Sequence, residues 1–202
     1  MCYPFEMLQP ARLTAGALGE TFERLNHYAP DAWPCWAYSN HDVIRHFTRW
    51  DLDDVSARTY TTMLMCLRGS VCLYQGEELG LPEADLEFED LRDPYGIQFW
   101  PTFKGRDGCR TPMVWSHNDV GSGFSSDKSW LPIPPEHHHL SANLQEADAD
   151  SLLNHYRDSL QFRSRHREFA TGDIGFLGDD ENVLTFERSL QGTTIFVAIN
   201  MS

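Results

Sequence analysis

The sequence predicts an α/β fold over residues 1–171 and the start of an all-β domain over residues 172–202. Short apolar strands alternate with amphipathic helices up to residue 74. This strand–helix–strand order is the rhythm of a barrel or of a doubly wound parallel sheet. The chain ends in two segments with period-two alternation, which is typical of antiparallel strands.

The first elements follow from apolar spacing. Residues 1–8 are predicted to form a short strand. Residues 12–28 are predicted to form a helix, because Leu18 and Phe22 fall on one apolar stripe at helical spacing. Pro30 then breaks the chain.

The next unit repeats the pattern. Residues 35–39 are predicted to form a short buried strand. Asp53 or Asp54 can cap a helix that runs to about Leu67. Residues 71–74 form a continuous apolar run, as expected of a parallel strand buried on both faces.

Residues 75–145 show no sustained periodicity, and a loop of this length inside a compact domain is usually functional. Helical spacing returns over residues 148–168. Residues 183–187 and 194–200 then form a predicted hairpin, joined by a turn at Gln191-Gly192. Two strands are too few to be stable alone, so the end of the chain is predicted to be an incomplete β-sandwich.

The composition limits the possible partners. The chain has 202 residues, 41% of them hydrophobic, and a formal net charge of −14. So acidic a surface repels phosphate backbones and anionic lipids, which argues against binding to nucleic acid or membranes. No apolar run approaches the roughly 20 residues of a membrane span. A neutral substrate such as a sugar is compatible with this charge.

The five cysteines argue for a reducing compartment. Their number is odd and no C-x-x-C pair occurs, which disfavours a disulfide framework or a zinc ribbon. The N-terminus lacks the basic and apolar regions of a signal peptide. A cytoplasmic location is therefore expected.

The most informative segment is Tyr38–Asp42, which reads Tyr-Ser-Asn-His-Asp after a predicted strand. Glycoside hydrolysis needs two carboxylates beside the scissile bond and a site that stabilises positive charge. A further carboxylate such as Asp42 can hold sugar hydroxyls, and the imidazole of His41 can donate to them. The alternative is a capped turn, because Asn and Asp favour turns.

Two other motifs accompany this segment. Residues 105–115 read Gly-Arg-Asp-Gly-Cys-Arg-Thr-Pro-Met-Val-Trp, and an arginine here offers a fork of donors suited to hydroxyls and carboxylates. A loop held by Arg–Asp pairs is the alternative. Glu77 and Glu78 follow the strand at 71–74, but adjacent side chains point in different directions, so we expect a structural role for them.

These motifs resemble the α-amylase superfamily, glycoside hydrolase family 13. Tyr38–Asp42 is similar to its fourth conserved region, residues 74–78 to its "YQGEE" signature, and residues 105–115 to the "RDxxRTPMxW" segment of α-glucosidases and oligo-1,6-glucosidases. Val114 departs from the residues usual at its position. The resemblance covers nearly the whole chain but only about the C-terminal half of a family member.

The resemblance implies roles for five residues. Asp42 would stabilise the transition state, while His41 and Arg110 would hold hydroxyls of the bound glucose. Asn40 and Arg45 are further candidates for substrate binding. For Arg45, pairing with nearby carboxylates is an equally open alternative. No metal and no cofactor are expected.

The resemblance also implies the C-terminal part of a (β/α)8 barrel. Met1–Leu8 would be strand six, residues 36–39 strand seven and residues 71–74 strand eight, so residues 1–171 would belong to the catalytic domain. The nucleophile and the general acid would lie on strands four and five. Since no carboxylate of this chain has their setting, we expect a fragment that is inactive alone. Open sheet edges would favour its aggregation.

Several alternatives stay open. Transglycosylation or sucrose isomerisation could occur on the same scaffold, or the chain could be a degenerate barrel that serves as an interaction module. A cation could bind the acidic run over residues 83–93. Zinc binding by His137–His139 is disfavoured, because consecutive histidines rarely converge. Trp100, Trp115 and Trp130 could stack on sugars or form small cores. The sequence alone does not distinguish a preference for α-1,4 from one for α-1,6 linkages, and it does not specify the oligomeric state.

Overall fold

A computed structural model describes residues 4–178 and 180–202 of the chain. Its first element corrects the sequence-based assignment, because Phe5–Leu8 form a 3-10 helix and not a strand. Residues 1–3 of the predicted strand lie outside the described residues. Met7 and Leu8 are buried all the same. A short apolar run signals burial, but its periodicity alone does not separate helix from strand.

The described residues divide into two compact units. The first combines Met1–Ala37, Asp53–Cys72 and Tyr156–Ser202, and the second combines Tyr38–Leu52 and Leu73–His155. The predicted domain boundary between residues 171 and 172 stays a prediction.

Two helices of the first unit confirm the sequence analysis. α1 spans Ala15–Tyr28, and the side chain of Thr14 caps it by accepting a hydrogen bond from the Ala17 amide at 3.2 Å. α3 spans Asp54–Cys66, and the Asp53 carboxylate caps it by accepting from the Ser56 amide at 2.8 Å. Each cap satisfies an amide that has no partner within its helix.

The parallel strands of the first unit are shorter than predicted. β1 spans only Cys35–Trp36 and pairs in parallel with β2, Ser70–Val71. The Trp36 side chain is fully buried, and its indole N–H donates to the carbonyl of Arg68 at 2.7 Å. Helix α3 between the two strands makes this a parallel crossover unit, as the order of elements predicted.

The first unit ends in an antiparallel sheet of three strands that lie side by side in chain order. β3 spans Asp173–Phe176, β4 spans Val183–Leu190 and β5 spans Thr193–Asn200. The β4–β5 hairpin confirms the prediction, and its turn residues Gln191 and Gly192 both have positive φ, as a tight primed turn requires. The sequence analysis missed β3. Helix α7, Leu152–Arg165, and the short helix α8, Arg167–Thr171, precede the sheet.

The core of the first unit combines aromatic rings with a buried arginine. The Phe22 ring lies 4.9 Å from that of Trp36 and 5.0 Å from that of Phe176. Arg188 of β4 is completely buried, and it donates to the carbonyls of Cys66 and Gly172 at 2.6 and 2.8 Å. These carbonyl partners replace the water that the guanidinium loses on burial.

The second unit corrects the view of residues 75–145 as a structureless stretch. It contains α2, His46–Arg49, α4, Pro94–Phe99, α5, Pro135–His139, and α6, Ala142–Ala147, with 3-10 turns between them. Helices of four to six residues are too short to produce a visible apolar period. One cluster of buried side chains holds this unit together at Leu79, Leu81, Met113, Val114, Ala142 and Leu153. A second cluster contains Ala84, Leu86, Leu91 and Leu131.

None of the helices within the described residues combines the length and the apolar character that a membrane span needs.

Candidate active site

Every candidate site residue lies in the second unit. Tyr38 and Ser39 are buried, and the Tyr38 ring packs at 5.2 Å from the ring of Trp50. The Ser39 hydroxyl accepts from the His46 amide at 3.0 Å. These contacts fix the segment that leads to the predicted site.

The chain then turns at Asn40. Its side-chain oxygen accepts from the Asp42 amide at 2.8 Å, which is an Asx turn. The turn leaves the side chains of His41 and Asp42 69% and 48% exposed. Asn40 therefore forms the capped turn that the sequence analysis kept as an alternative for this segment. His41 and Asp42 still remain accessible to a ligand.

The Asp42 carboxylate is the centre of a charged cluster. Its Oδ1 accepts from Arg106 at 3.0 Å and from Arg110 at 3.1 Å, and its Oδ2 lies 3.4 Å from His41 Nε2. Arg110 also donates to the main-chain carbonyl of His41 at 2.7 Å. The structure therefore brings together three of the predicted site residues, and two guanidinium groups orient one accessible carboxylate.

Arg106 is the member of this cluster that the sequence analysis did not assign. It forms a two-point pair with Asp93, with distances of 2.7 and 3.1 Å, and its own amide donates to the same carboxylate at 2.9 Å. The Asp93 side chain is fully buried. Hydrogen bonds from Arg106 lower the pKa of Asp93 to about 2. The Arg-Asp-rich loop motif was the available signal, but nothing in it identified the partner.

Asp107 stabilises the same loop through main-chain hydrogen bonds. It is buried, and its carboxylate accepts from the amides of Arg92 and Asp93 at 2.5 and 2.7 Å. A chain of contacts therefore runs from Asp107 through the main chain at Asp93 to Arg106 and Asp42. Residues 105–115 thus position Asp42 in the segment Tyr38–Asp42.

Arg45 occupies a different environment from the exposed cluster. Only 1% of it is exposed, and its guanidinium donates to the carbonyls of Gln75 and Cys109 at 2.8 and 3.0 Å. It lies 5.3 Å from the centre of the Tyr74 ring. Burial lowers the pKa of Arg45. Because its partners are main-chain carbonyls, this geometry favours a positioning role over contact with a substrate.

Three glutamates of the second unit, Glu77, Glu78 and Glu83, are further candidates for acid chemistry. Glu77 is buried, and its carboxylate accepts from the Tyr74 amide at 3.3 Å, as expected for a structural residue. Burial raises the pKa of Glu78. Glu83 accepts from the Arg45 amide at 2.8 Å, and burial raises its pKa to about 7.

Several of the possible metal ligands named in the sequence analysis have other partners. Asp85 pairs with Lys104 and Asp93 with Arg106. The buried His137 ring bonds the carbonyl of Pro82 through Nε2 at 3.0 Å, and burial lowers its pKa to about 4. Across residues 4–178 and 180–202, no three His, Cys, Asp or Glu side chains converge as a metal site would require.

A cavity of about 350 Å³ adjoins the charged cluster at Arg110. Trp115, Phe124 and Trp130 line it, and each is about half exposed. Trp100, by contrast, packs against the small apolar cluster around Leu86. The sequence left open whether the three tryptophans form small cores or stack on sugars. In the structure Trp100 packs against a core cluster, while Trp115 and Trp130 line the cavity.

Comparison with protein families shows one match over most of the chain. Residues 6–172 match the family described as "Alpha amylase, catalytic domain". A "Probable alpha-glucosidase" of Rhizobium meliloti is 50% identical over the whole chain, which covers 37% of that relative. An alpha-glucosidase of Candida albicans is 28% identical over 85% of the chain, which corresponds to 36% of its own length. The chain thus spans little more than a third of these relatives.

Solved structures agree with this result. The alpha-glucosyl transfer enzyme XgtA is 46% identical, with a TM-score of 0.93, and the match covers all of this chain and 38% of that enzyme. The trehalulose synthase MutB shares the fold at 23% identity and a TM-score of 0.79, and the match covers 94% of this chain and 39% of MutB.

Proposed function

The chain belongs to the alpha-amylase family, and from this premise we propose that it forms one side of the active site of a retaining α-glucosidase. The proposed reaction is hydrolysis of terminal α-linked glucose from an oligosaccharide. The similarity to α-glucosidases over the whole chain supports this choice within the family. In this proposal the nucleophile and the general acid come from residues outside this chain.

The accessible Asp42 carboxylate carries the proposal. Glycoside cleavage passes through a transition state with positive charge at the anomeric carbon, which a fixed anion stabilises. Arg106 and Arg110 hold Asp42 in one orientation before any sugar arrives, so little reorganisation is needed during the reaction. About half of the Asp42 side chain stays open to a ligand.

We assign the neighbouring groups to recognition of sugar hydroxyls. His41 can donate a hydrogen bond from its exposed ring, and Arg110 carries more donors than it uses on Asp42 and on the His41 carbonyl. Asn40 shapes the turn that presents His41 and Asp42, so its proposed contact with substrate is secondary. We propose that Arg45 positions the site through the main chain of residues 75 and 109.

Glucosyl transfer to a sugar acceptor is a second candidate function. The observation in its favour is the 46% identity to an alpha-glucosyl transfer enzyme over the whole chain. Hydrolysis and transfer share the glucosyl-enzyme step and differ in whether water or an acceptor completes it. The Asp42 cluster serves both reactions equally, so the acceptor decides between them.

A chimera tests the proposed function. This chain would replace the matching segment of the Rhizobium meliloti relative, which is 50% identical to it and contributes the rest of a longer protein. We expect the chimera to release glucose from maltose. Product analysis at high maltose would show trisaccharide if transfer dominates. A folded chimera that cleaves no α-glucoside would contradict the proposal and favour a non-catalytic interaction module.

The proposed partner is an oligosaccharide with α-linked glucose. The cytoplasmic location, which the cysteine pattern suggested, stays a prediction.

A further inference from the structure

Glu83 lies beside the two segments that form the charged cluster. Its Oε2 accepts a hydrogen bond from the Arg45 amide at 2.8 Å, and its own amide donates to the Thr48 hydroxyl at 2.8 Å. Arg45 and Thr48 follow Asp42 closely in the chain. Glu83 is therefore bonded at two points to the segment that begins at the proposed stabiliser of the transition state.

The Glu83 carboxyl group also packs against the turn that carries Arg106 and Arg110. The Ala84 amide donates to the carbonyl of Gly108, within this turn, at 3.1 Å. A Cβ added at Gly108 would lie 2.5 Å from Glu83 Oε1 and 2.5 Å from the Ala84 carbonyl oxygen. The close approach of the carboxyl group to the main chain of the turn therefore requires glycine at this position.

Charged and titratable side chains face Glu83 or line the same cavity, and they are Arg45, Arg49, Asp85, Lys104 and Cys109. Burial raises the pKa of Glu83 to about 7, and the charges of Arg45 and Arg49 act against this rise. Burial also raises the pKa of the Cys109 thiol to about 12, so this neighbour stays neutral while Glu83 titrates. The two remaining groups form an ion pair with each other. The charge of Glu83 therefore changes close to neutral pH.

Ionisation of Glu83 acts on the site through Arg45. The Arg45 guanidinium donates to the carbonyls of Gln75 and Cys109 at 2.8 and 3.0 Å, and Cys109 directly precedes Arg110. A buried anion at Glu83 attracts this guanidinium and competes with the two carbonyls for it. The anion also recruits water, which opens the packed contact with the turn. Ionisation of Glu83 therefore loosens the main chain next to Arg110.

We propose that Glu83 is a positioning residue, which keeps Asp42 and its two arginine partners in their working arrangement while its carboxyl group is neutral. This inference rests on the proposed function and deepens it, because it adds a group that controls the site without touching the substrate. The neutral form prevails below about pH 7, so activity should fall above that pH independently of the general acid.

Carboxyl NMR of the 202-residue chain tests this coupling without any substrate. Because imidazole groups also titrate near neutral pH, His41→Gln is introduced into every protein compared. The signal of the ¹³C-labelled Asp42 carboxyl group is followed from pH 5 to pH 9, and we expect a step in its chemical shift near pH 7. Glu83→Gln is neutral at every pH and keeps an acceptor for the Arg45 amide, so it should remove the step.

The pH profile of catalysis tests the consequence for the reaction. In the chimera with the Rhizobium meliloti relative, kcat/KM for maltose is measured with and without Glu83→Gln. The ratio of variant to wild type should rise at least about fivefold between pH 6 and pH 8.5, because only the wild type ionises. A purely structural role would change both rates by one factor at every pH. Asp85→Asn removes an 83% exposed carboxylate from the same cavity and should follow the wild-type profile.

Gly108→Ala tests the packed contact by a second route. Its added Cβ would lie 2.5 Å from Glu83 Oε1 and should displace the carboxyl group into water. We expect this variant to lose the step in the Asp42 signal, and to lower kcat/KM at every pH by at least about tenfold through misplacement of the turn. Far-ultraviolet circular dichroism would verify that each variant keeps its helices.

The outcomes also separate this inference from the proposed function. If the step is absent from the parent chain or persists in Glu83→Gln, or if the kinetic profiles are parallel, Glu83 does not control the cluster. If Glu83→Gln is inactive at every pH, the charged form is the working one and the inference is wrong. A wild-type chimera without activity contradicts the proposed function, and the Asp42 signal of the isolated chain then decides the role of Glu83 by itself.

Discussion

At the scale of single residues, the site is built around the exposed Asp42 carboxylate, which accepts hydrogen bonds from Arg106 and Arg110. Arg106 bonds the exposed Asp42 at 3.0 Å and the fully buried Asp93 at 2.7 Å. The buried partner fixes the guanidinium, and the guanidinium in turn orients the exposed carboxylate. This explains how Asp42 can be accessible to a sugar and still be held in place.

The first prediction concerns Asp93→Asn. The change removes the negative charge that Arg106 pairs with inside the protein, and we expect the free energy of unfolding to fall by about 2–3 kcal/mol at pH 7, the equivalent of the lowered pKa. Hydrogen bonds from Arg106 hold the pKa of Asp93 at about 2, below its ordinary value near 4. The stability that Asp93 contributes is therefore present above pH 4 and is lost as the pH falls toward 2.

Urea unfolding at pH 7 and at pH 3 measures this contribution. The difference between wild type and Asp93→Asn should be largest at pH 7 and should shrink at pH 3. Glu89→Gln removes an exposed carboxylate from the same acidic run and serves as the control. An equal loss in both variants would show that the Asp93–Arg106 pair stabilises nothing.

The second prediction concerns Glu83. Burial raises its pKa to about 7, so between pH 4.5 and 7 the folded chain holds a proton there that the unfolded chain has released. Stability contributed by this group therefore falls as the pH rises through that window. Glu83→Gln stays neutral at every pH and should remove roughly 2 kcal/mol of this dependence.

Urea midpoints at pH 5 and pH 8 test this sign. The wild type should lose more stability than Glu83→Gln when the pH rises from 5 to 8. The amide oxygen of the variant can still accept from the Arg45 amide, so the contact at 2.8 Å need not be lost. Parallel pH dependence in the two proteins would mean that Glu83 titrates near its ordinary value.

At the scale of elements, the sequence predicted what depends on regular spacing. Helices α1 and α3 have apolar stripes at helical spacing, Asp53 was one of the two predicted caps of α3, and the β4–β5 hairpin has strict alternation around Gln191-Gly192. These signals are local, so they can be read without knowing the fold.

Elements that depend on contacts between residues far apart in the sequence could not be predicted. Phe5–Leu8 is too short for its period to be decided, and the short helices within residues 75–145 are fixed by tertiary bonds. Gln145, for example, donates to the carbonyl of Leu79 at 2.8 Å and accepts from the Leu153 amide at 3.0 Å. No local pattern contains that information.

The same limit applies to the site. Asp42, His41 and Arg110 were selected by motif, and the structure brings them together. Arg106 was overlooked, because its role depends on Asp93, which lies 13 residues away in a run that resembles a solvated acidic loop. Spacing in the chain did not reveal that pairing.

The third prediction tests the turn before the short helix at Glu77–Leu79. Gly76 has a φ of 84°, and an added Cβ would lie 2.5 Å from the Leu81 side chain and 3.0 Å from an Arg45 guanidinium nitrogen. We expect Gly76→Ala to destabilise the chain by about 2–4 kcal/mol through backbone strain and overpacking. Thermal unfolding measures the effect.

Gly19 provides the matched control. It lies inside α1, and an added Cβ would meet nothing within 4 Å. Gly19→Ala should therefore raise stability by about 0.5–1 kcal/mol, since alanine is the better helix former. Equal effects of the two changes would contradict the account of the turn at Gly76.

At the scale of the whole molecule, the chain corresponds to 36–38% of the length of the two related glucosidases and of the glucosyl transfer enzyme. The proposed function requires a nucleophile and an acid about 5 Å apart, as in any retaining glycosidase. Asp93, which is linked to Asp42 through Arg106, has a buried side chain and cannot attack a sugar.

The fourth prediction follows from the need for a nucleophile and a general acid, which the proposed function places outside this chain. The purified 202-residue chain should bind α-glucosides weakly and hydrolyse none at a measurable rate. A glucose-release assay with maltose checks the prediction. Turnover by the isolated chain that disappears in Asp42→Asn would overturn it and would place all the catalytic groups within these residues.

The most direct test of the central claim is kcat for maltose in the chimera with the Rhizobium meliloti relative, with and without Asp42→Asn. Asn keeps the shape of Asp42 and removes its charge, so we predict a fall in kcat of about 10³-fold, the scale for loss of one strong electrostatic group. Asp51→Asn, an exposed change outside the cluster, should leave the rate unchanged. An Asp42→Asn chimera that keeps the wild-type rate would show that Asp42 is not the charged centre of the site.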